Sequence, residues 1–317
     1  MSVSRRSVLA GIAAMAASPS FAASKLNVVA STGMIADLVR RIGGSGVDVR
    51  ALMGPGVDPH AYRQTRSDIV DMTRSDTVFW HGLYLEAQME EFLLDLARKR
   101  PVHAVAETLD TDLLIASEDY EDRFDPHVWM DPDVWVQCAP AVVRALTTLR
   151  PKGKEMFEAN ASAFVAEAEA LSIYSREVLA QVRPEARILL TAHDAFGYFG
   201  AAYDFEVLGI QGISTESEAG LNRISTLVDT LVKRQLPAVF VETSVSDRNI
   251  RALIEGAAAQ GHTVSIGGSL FSDAMGPEGT YEGTWLGMID HNVTTIARAL
   301  GADVPATGRL GRLKGAA

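Results

Sequence analysis

Two short motifs of the chain contain the same tripeptide, Asp-Pro-His. His60 lies in GVDPHAY at residues 56–62, and His127 lies in FDPHVWMDP at residues 124–132. Proline fixes its own φ near about −65° and biases the preceding residue toward extended backbone, so a stiffened loop presents each histidine. Because imidazole is the commonest metal ligand, the repeated motif predicts that both histidines bind a metal ion.

Two other polar residues follow predicted strands and complete a candidate ligand set. His193 lies in ILLTAHDAFGYF and Asp273 in IGGSLFSDAMG. Ligands gather at the carboxyl ends of strands in α/β proteins, which suits His60, His193 and Asp273, whereas His127 lies in a loop that leads to a helix. Three imidazoles and one carboxylate suit a divalent transition metal, while Ca²⁺ would need more oxygen ligands.

The histidines also allow a less specific interpretation. A lone histidine is usually a surface or hydrogen-bonded residue, and this structural role is expected for the remaining four: His81, His103, His262 and His291. His193 considered alone is ambiguous. The four candidate ligands are spread over residues 60–273, so their spacing is not a local zinc signature.

The first 22 residues are typical of an export signal that is cleaved near Ala22. Arg5 and Arg6 precede an apolar run, and small residues flank Phe21 before the expected cleavage point. Paired arginines are typical of a twin-arginine signal but also occur in ordinary secretory signals, so both export routes stay open. An apolar run of about ten residues is too short to cross about 30 Å of hydrocarbon, which argues against a membrane anchor. We therefore expect a periplasmic protein.

The composition is that of a globular protein large enough for two lobes. Of the 317 residues 47% are hydrophobic, and the formal charge of −11 disfavours a nucleic-acid partner, because phosphate binding needs clustered positive charge. The single cysteine, Cys138, excludes an intramolecular disulfide and does not lie at the signal junction, where it could carry a lipid. We expect Cys138 to be a small buried residue, and Trp129 and Trp135 to be packing residues.

Strand and helix patterns alternate along the chain and predict an α/β fold with two β/α lobes. Largely parallel sheets are expected in an N-terminal lobe at residues 23–150 and a C-terminal lobe at residues 184–317. Between them a linking helix is expected at residues 151–183, where a long stretch rich in alanine and glutamate contains no proline. About 30 residues at 1.5 Å each would make a rod of about 45 Å, long enough to join two lobes. An ordinary amphipathic packing helix is the alternative.

Four motifs, in this order, resemble those of the TroA-type (cluster A-I) substrate-binding proteins of ABC transporters that import zinc and manganese. The motifs are GVDPHAY, DPHVWMDP, TAHDAFGYF and GGSLFSDAMGPEGTYEG, and the similarity covers nearly the whole chain from Leu26 onward. The resemblance implies that His60 and His127 are the metal ligands of the N-terminal lobe. It implies that His193 and Asp273 are those of the C-terminal lobe. It further implies a metal site in the cleft between the lobes, a single long helix joining them, and limited hinge movement.

The residue at position 193 bears on the choice of metal. Proteins that resemble manganese binders usually have glutamate there, while many that resemble zinc binders have histidine, as this chain does. Nitrogen ligands favour Zn²⁺ over Mn²⁺, so we expect Zn²⁺, with Mn²⁺ as the alternative. Several zinc-binding relatives have a long histidine-rich insertion before the position of His127. This chain has ASEDYEDRFDPH, an acidic loop that either attracts cations or is simply solvated.

These features predict a binding protein and not an enzyme: a monomer that captures a divalent metal and delivers it to the permease of an inner-membrane ABC importer. A zinc-dependent hydrolase with a His₃ site is the alternative. Catalytic zinc keeps a water in its fourth position, which Asp273 would occupy here, and the chain has no His-Glu-x-x-His motif. A surface adhesin is a third class, for which the sequence offers no argument. Four carboxylates are unranked candidate partners of the ligand imidazoles: Asp58, Asp125, Asp194 and Glu242.

Overall fold

Short apolar segments of the first hundred residues form a parallel sheet. The computed structural model describes residues 24–117, 120, 122–217 and 219–314, so the predicted export signal at residues 1–22 lies outside the described residues. Four strands make up the sheet: β1 (Leu26–Ala30), β2 (Val47–Ala51), β3 (Thr77–Trp80) and β4 (Val102–Ala104). Their spatial order is β2-β1-β3-β4, and Val28 of the central strand β1 pairs with Val49 and Thr77.

Five helices of the described residues accompany this sheet. They are α1 (Gly33–Gly43), α2 (Arg66–Arg74), α3 (Glu90–Ala97), the single turn α4 (Pro132–Trp135) and α5 (Ala139–Leu149). At the start of α1 the Thr32 hydroxyl accepts the N–H of Ile35, and α2 begins with a capping box between Thr65 and Asp68. The buried residues of α1 include the apolar face that the spacing predicts: Met34, Ile35, Leu38 and Val39.

One long helix, α6 (Lys154–Leu179), follows. It has 26 residues, which corresponds to a length of about 39 Å and is slightly shorter than the rod expected from the sequence. The helix is shorter because Pro151–Gly153 forms a 3-10 turn before it and the chain turns again soon after Ala180.

The strand and helix alternation then resumes. The strands are β5 (Ile188–Thr191), β6 (Glu206–Gly209), β7 (Ala238–Glu242) and β8 (Ser265–Leu270), and the helices are α7 (Gly197–Tyr203), α8 (Leu221–Arg234), α9 (Arg248–Ala259) and α10 (Trp285–Ala299). β5 pairs with β6 and β7 with β8, both in parallel, and β5 lies beside β7. The structure therefore confirms the predicted α/β class with parallel sheets and a long helix. In this half, however, the ladders form two separate pairs of strands.

The hydrophobic core is continuous between the two halves of the chain. α6 packs against α1 and α5 from the first half and against α10 from the second. One cluster of buried apolar residues includes Ile35 of α1, Phe164 of α6 and Trp285 of α10. The two halves therefore share one closely packed cluster of apolar side chains. Within the described ranges, none of the helices combines the length and apolar character that a membrane span requires.

Candidate metal centre

The structure brings the four predicted site residues together. His60, His127, His193 and Asp273 each offer one ligand atom, and these atoms all lie within 4.8 Å of one another. All four side chains are buried, with exposed fractions of 3% for His60, 0% for His127 and His193, and 2% for Asp273. Two of these residues lie in the first half of the chain and two in the second, so the cluster lies between the halves.

His60 lies in the loop between β2 and α2. The backbone N–H of His60 donates to Oδ1 of Asp58 at 2.9 Å, a short-range turn that includes the intervening proline. The other carboxylate oxygen of Asp58, Oδ2, accepts the hydroxyl of Thr215 from the loop after β6 at 2.5 Å. Asp58 therefore joins the His60 loop to the second half of the chain.

His127 is held by the same type of local turn, with one additional contact. Oδ1 of Asp125 accepts both the backbone N–H of His127 at 2.9 Å and its ring Nδ1–H at 2.6 Å. A 3-10 turn over Val128–Met130 follows, and the Asp131 side chain caps the short helix α4. The repeated Asp-Pro-His motif thus gives two similar turns, but only the Asp125 carboxylate contacts a ligand ring.

His193 follows β5 and is oriented by a residue from another strand. Glu242, the last residue of β7, accepts the backbone N–H of His193 with Oε1 at 2.9 Å and the ring Nδ1–H with Oε2 at 2.5 Å. Asp273 follows β8, and its Oδ2 lies 3.4 Å from the hydroxyl of Ser244, which comes shortly after β7. Both candidate ligands of the second half therefore lie at the carboxyl ends of parallel strands, as predicted.

These contacts rank the carboxylates that the sequence left unranked. Asp125 and Glu242 bind the rings of candidate ligands, and Asp58 binds the backbone of a third. The backbone N–H of Asp194 donates to the Gly212 carbonyl. A carboxylate on Nδ1 keeps the proton on that nitrogen and leaves Nε2 as the free donor atom. The Nε2 atoms of His127 and His193 accordingly face the cluster.

Three separations between the facing atoms are close to those around a four-coordinate ion. The Nε2 atoms of His60 and His127 are 3.3 Å apart, Nε2 of His127 is 3.3 Å from Oδ1 of Asp273, and Nε2 of His193 is 3.2 Å from its Oδ2. Ligands at about 2.0–2.1 Å from a tetrahedral metal lie about 3.3–3.4 Å from each other. Nε2 of His193 and Oδ1 of Asp273 are buried and have no hydrogen-bond partner among the described residues, as expected of atoms directed at an ion.

Burial and charge act against each other at the centre. Burial alone would raise the pKa of Asp273, but His193 and His127 outweigh it and hold this pKa well below its usual range. Burial lowers the pKa of His127, yet the neighbouring carboxylates of Asp125 and Asp273 prevail and raise the pKa to about 9. Similar carboxylate contacts raise the pKa of His193 well above its usual value, whereas burial prevails at His60 and lowers its pKa to about 3. The centre therefore provides an ionised carboxylate and a strong attraction for positive charge.

The mouth of the centre is crossed by two hydrogen bonds between the halves. Besides the bond from Thr215 to Asp58, Nε2 of Gln88 donates to Oε1 of Glu216 at 2.8 Å. A cavity of about 60 Å³ is lined in part by His60 and Glu216. No local spacing connects residues more than a hundred positions apart, so the sequence does not predict these contacts of Thr215, Gln88 and Glu216.

The other residues singled out from the sequence lie outside the group of four. His262 and His291 contact backbone carbonyl oxygens through Nε2, at 2.8 Å and 2.9 Å, in agreement with a structural role. Trp129 and Trp135 are fully buried, and burial raises the pKa of the Cys138 thiol. Residues 118, 119 and 121 of the acidic loop before His127 lie outside the described residues.

Fold and site together define a class: an α/β protein with two β/α halves and a buried group of potential metal ligands between them. The family model described as "ZnuA: Zinc-uptake complex component A periplasmic" matches residues 28–299, and the chain belongs to this family. The resemblance inferred from the four motifs is thereby confirmed.

Individual relatives agree with this assignment. The chain is 43% identical over 276 residues to the manganese-binding lipoprotein MntA of Bacillus subtilis (strain 168), covering 87% of this chain and 90% of the relative. It is 44% identical over 273 residues to the zinc-binding protein TroA of Treponema pallidum (strain Nichols), covering 86% and 88%. A solved structure of the T. pallidum periplasmic zinc-binding protein TroA superposes with a TM-score of 0.85 at 43% identity, covering 87% of this chain and 99% of that one.

Family membership fixes the general function. The protein is the solute-binding component of a metal ABC transporter, works with a membrane permease, and acts outside the cytoplasm. The family is not a family of enzymes, so the hydrolase alternative has no support.

Proposed function

We propose that the protein binds Zn²⁺ through Nε2 of His60, His127 and His193 and through the carboxylate of Asp273, and delivers the ion to its permease. The observation that carries the proposal is the buried group of three imidazoles and one ionised carboxylate, whose ligand atoms all lie within 4.8 Å of one another. Because all four positions have protein donors, the arrangement favours holding an ion over activating a water.

The choice of Zn²⁺ rests on the donor atoms. Mn²⁺ prefers oxygen ligands, whereas imidazole serves Zn²⁺ well, and His193 makes nitrogen the majority donor. Similarity to relatives does not decide the question, because a manganese-binding and a zinc-binding relative are 43% and 44% identical to this chain. Mn²⁺ is the alternative cargo.

The finer organisation belongs to the same proposal. An export signal is cleaved near Ala22, by either the general secretory or the twin-arginine route, and the mature protein is a periplasmic monomer that meets its permease at the inner membrane. Its N-terminal lobe extends over residues 23–150, a linking helix over residues 151–183, and a C-terminal lobe over residues 184–317. The position of α6 between α1 and α10 supports this division.

Metal content and competition test the proposal. Protein purified without added metal is analysed for bound ions, stripped with a chelator, and titrated with Zn²⁺ and Mn²⁺ in competition. His60→Ala and His127→Ala should each abolish tight binding and leave the metal-free fold intact, because both ligands lie in loops. His262→Ala is the matched control, since the Nε2 of His262 contacts the Leu236 carbonyl away from the centre.

Thermal unfolding gives an independent measurement. A ligand that binds only the folded state stabilises it by about 4 kcal/mol at a free concentration a thousandfold above its Kd. Zn²⁺ should therefore raise the Tm of the wild type and of His262→Ala, but not that of His60→Ala. Equal metal affinity in His60→Ala and the wild type would refute the assigned site.

A further inference from the structure

Three tryptophans lie in the core near the metal centre and differ in what their indole N–H groups bind. Trp129, Trp135 and Trp285 are all 0% exposed. Nε1 of Trp129 donates to the Ser272 carbonyl at 2.9 Å, and Nε1 of Trp285 donates to the Trp129 carbonyl at 3.0 Å. Nε1 of Trp135 is buried and has no hydrogen-bond partner among the described residues. Trp129 and Trp135 are equally buried, but of these two only Trp129 has a described partner for its indole N–H. This difference suggests a specific role for the Trp129 N–H.

Trp129 connects a candidate ligand of each half. It lies two positions after His127, and the two ring centroids are 5.2 Å apart. Its acceptor, Ser272, directly precedes Asp273 in the loop after β8, 143 positions along the chain. One side chain therefore packs against a ligand from the first half and binds the backbone beside a ligand from the second.

Contacts between the candidate ligands aside, the hydrogen bonds that other side chains give to the loop that carries Asp273 come, among the described residues, from the second half. The Ser272 and Ser244 hydroxyls are 2.9 Å apart, and Asn292 binds the backbone of Phe271, but these partners all belong to the second half. Such contacts hold the loop to its own half only. The bond from Trp129 is a direct hydrogen bond from the first half to this loop, which also packs against α1 where Met275 lies close to Gly33.

A buried series of hydrogen bonds supports Trp129 in turn. The backbone N–H of Trp285 donates to Oδ2 of Asp37 in α1 at 3.0 Å, and the ring N–H of Trp285 donates to the Trp129 carbonyl. The series therefore extends from α1, through the start of α10, to the loop of His127 and on to Ser272. Its members are separated widely in sequence and are joined only by packing.

We propose that Trp129 is a positioning residue of the metal centre. Its indole N–H holds the Ser272 carbonyl, so that the Asp273 carboxylate meets the Nε2 atoms of His127 and His193 at 3.3 Å and 3.2 Å. The inference rests on the proposed metal-binding function. Without this bond the loop would sample arrangements in which Asp273 is out of reach, and the apparent Kd rises in inverse proportion to the competent fraction.

Matched Trp→Phe variants test the proposal. Trp129→Phe removes the N–H and retains an aromatic ring, while Trp135→Phe makes the same change where the N–H has no described partner. Competition with a chromophoric chelator should show a Kd for Zn²⁺ about tenfold higher in Trp129→Phe, corresponding to a competent fraction of about one-tenth. The Kd of Trp135→Phe should stay near that of the wild type.

A spectroscopic measurement separates positioning from a general loss of stability. Co²⁺ replaces Zn²⁺ as the probe, because its ligand-field bands weaken as coordination expands from four ligands toward six. Trp129→Phe should weaken these bands, whereas a variant that is only less stable should retain the wild-type spectrum. If Trp129→Phe and Trp135→Phe have equal Kd values and equal Co²⁺ spectra, the proposal is overturned.

Two further outcomes remain decisive. If Trp129→Phe does not fold, Trp285→Phe is used, because it removes the bond that supports the Trp129 carbonyl. It should weaken Zn²⁺ binding more than Trp135→Phe does, and equality would overturn the proposal. If the proposed metal-binding function itself is wrong, the wild type and Trp135→Phe will also fail to bind Zn²⁺. This result differs from a loss of affinity confined to Trp129→Phe.

Discussion

Glu242 should control metal affinity through the tautomer of His193. In the wild type, one carboxylate oxygen accepts the backbone N–H of His193 and the other accepts its ring Nδ1–H at 2.5 Å, which leaves Nε2 free to bind the ion. In Glu242→Gln, an amide NH₂ replaces one of the two acceptors. If it faces Nδ1, the imidazole must accept there and carry its proton on Nε2, which blocks the ligand atom. If it faces the backbone, the N–H of His193 loses its partner.

Either arrangement costs about one hydrogen bond to a charged group. Such a bond contributes about 1.5–3 kcal/mol, which corresponds to a factor of about 10–150 in Kd. Loss of a partner that orients a metal-ligating imidazole typically costs about 10–100-fold in affinity, which agrees with this estimate. We therefore expect the Kd of Glu242→Gln for Zn²⁺ to rise by about 10–100-fold.

The measurement is chelator competition at fixed pH, with circular dichroism of the metal-free protein as the check on folding. Glu216→Gln is the matched control, because Glu216 is an exposed carboxylate at the mouth of the centre that binds Gln88 and contacts no ligand ring. Its charge is screened by solvent, so its Kd should change by less than about twofold. A folded Glu242→Gln whose affinity matches that of Glu216→Gln would refute the role of Glu242.

Three more predictions concern selectivity, pH and release. His193→Glu should reduce the preference for Zn²⁺ over Mn²⁺, because it adds an oxygen donor; an unchanged ratio of the two Kd values, measured by competition, would remove the reason for expecting Zn²⁺. Metal binds neutral imidazole, and the pKa of His127 is raised to about 9. The affinity for Zn²⁺ should therefore fall as the pH decreases from about 9. For the same reason, Zn²⁺ binding at pH 7 should release protons. Calorimetry in buffers of different ionisation enthalpy counts these protons. A count of zero would contradict the expected release of protons. Thr215→Val removes the hydroxyl bond to Asp58 and should accelerate release of Zn²⁺ to excess chelator by about three- to tenfold in stopped-flow measurements; equal rates in Thr215→Val and the wild type would exclude this bond from the release step.

Much of the site could be predicted from the sequence because its signals are local. A proline before each histidine stiffens the loops of His60 and His127, and His193 and Asp273 follow apolar runs that form β5 and β8. The helices behind them also have local signals, such as the apolar spacing of α1. The type of each candidate ligand, and the loop or strand that precedes it, could therefore be predicted without the tertiary structure.

Contacts between distant residues were decided only by the tertiary structure. The carboxylate of Asp125 lies two residues from His127, but Glu242 reaches His193 across 49 positions, and Trp129 reaches Ser272 across 143. Spacing in the sequence cannot encode such pairs, because their distance depends on how β5, β7 and β8 are arranged and how α6 packs between α1 and α10. The sequence by itself determined which side chains could bind a metal, whereas packing determined which carboxylates orient the imidazoles of His127 and His193 and how the two halves meet at the candidate site.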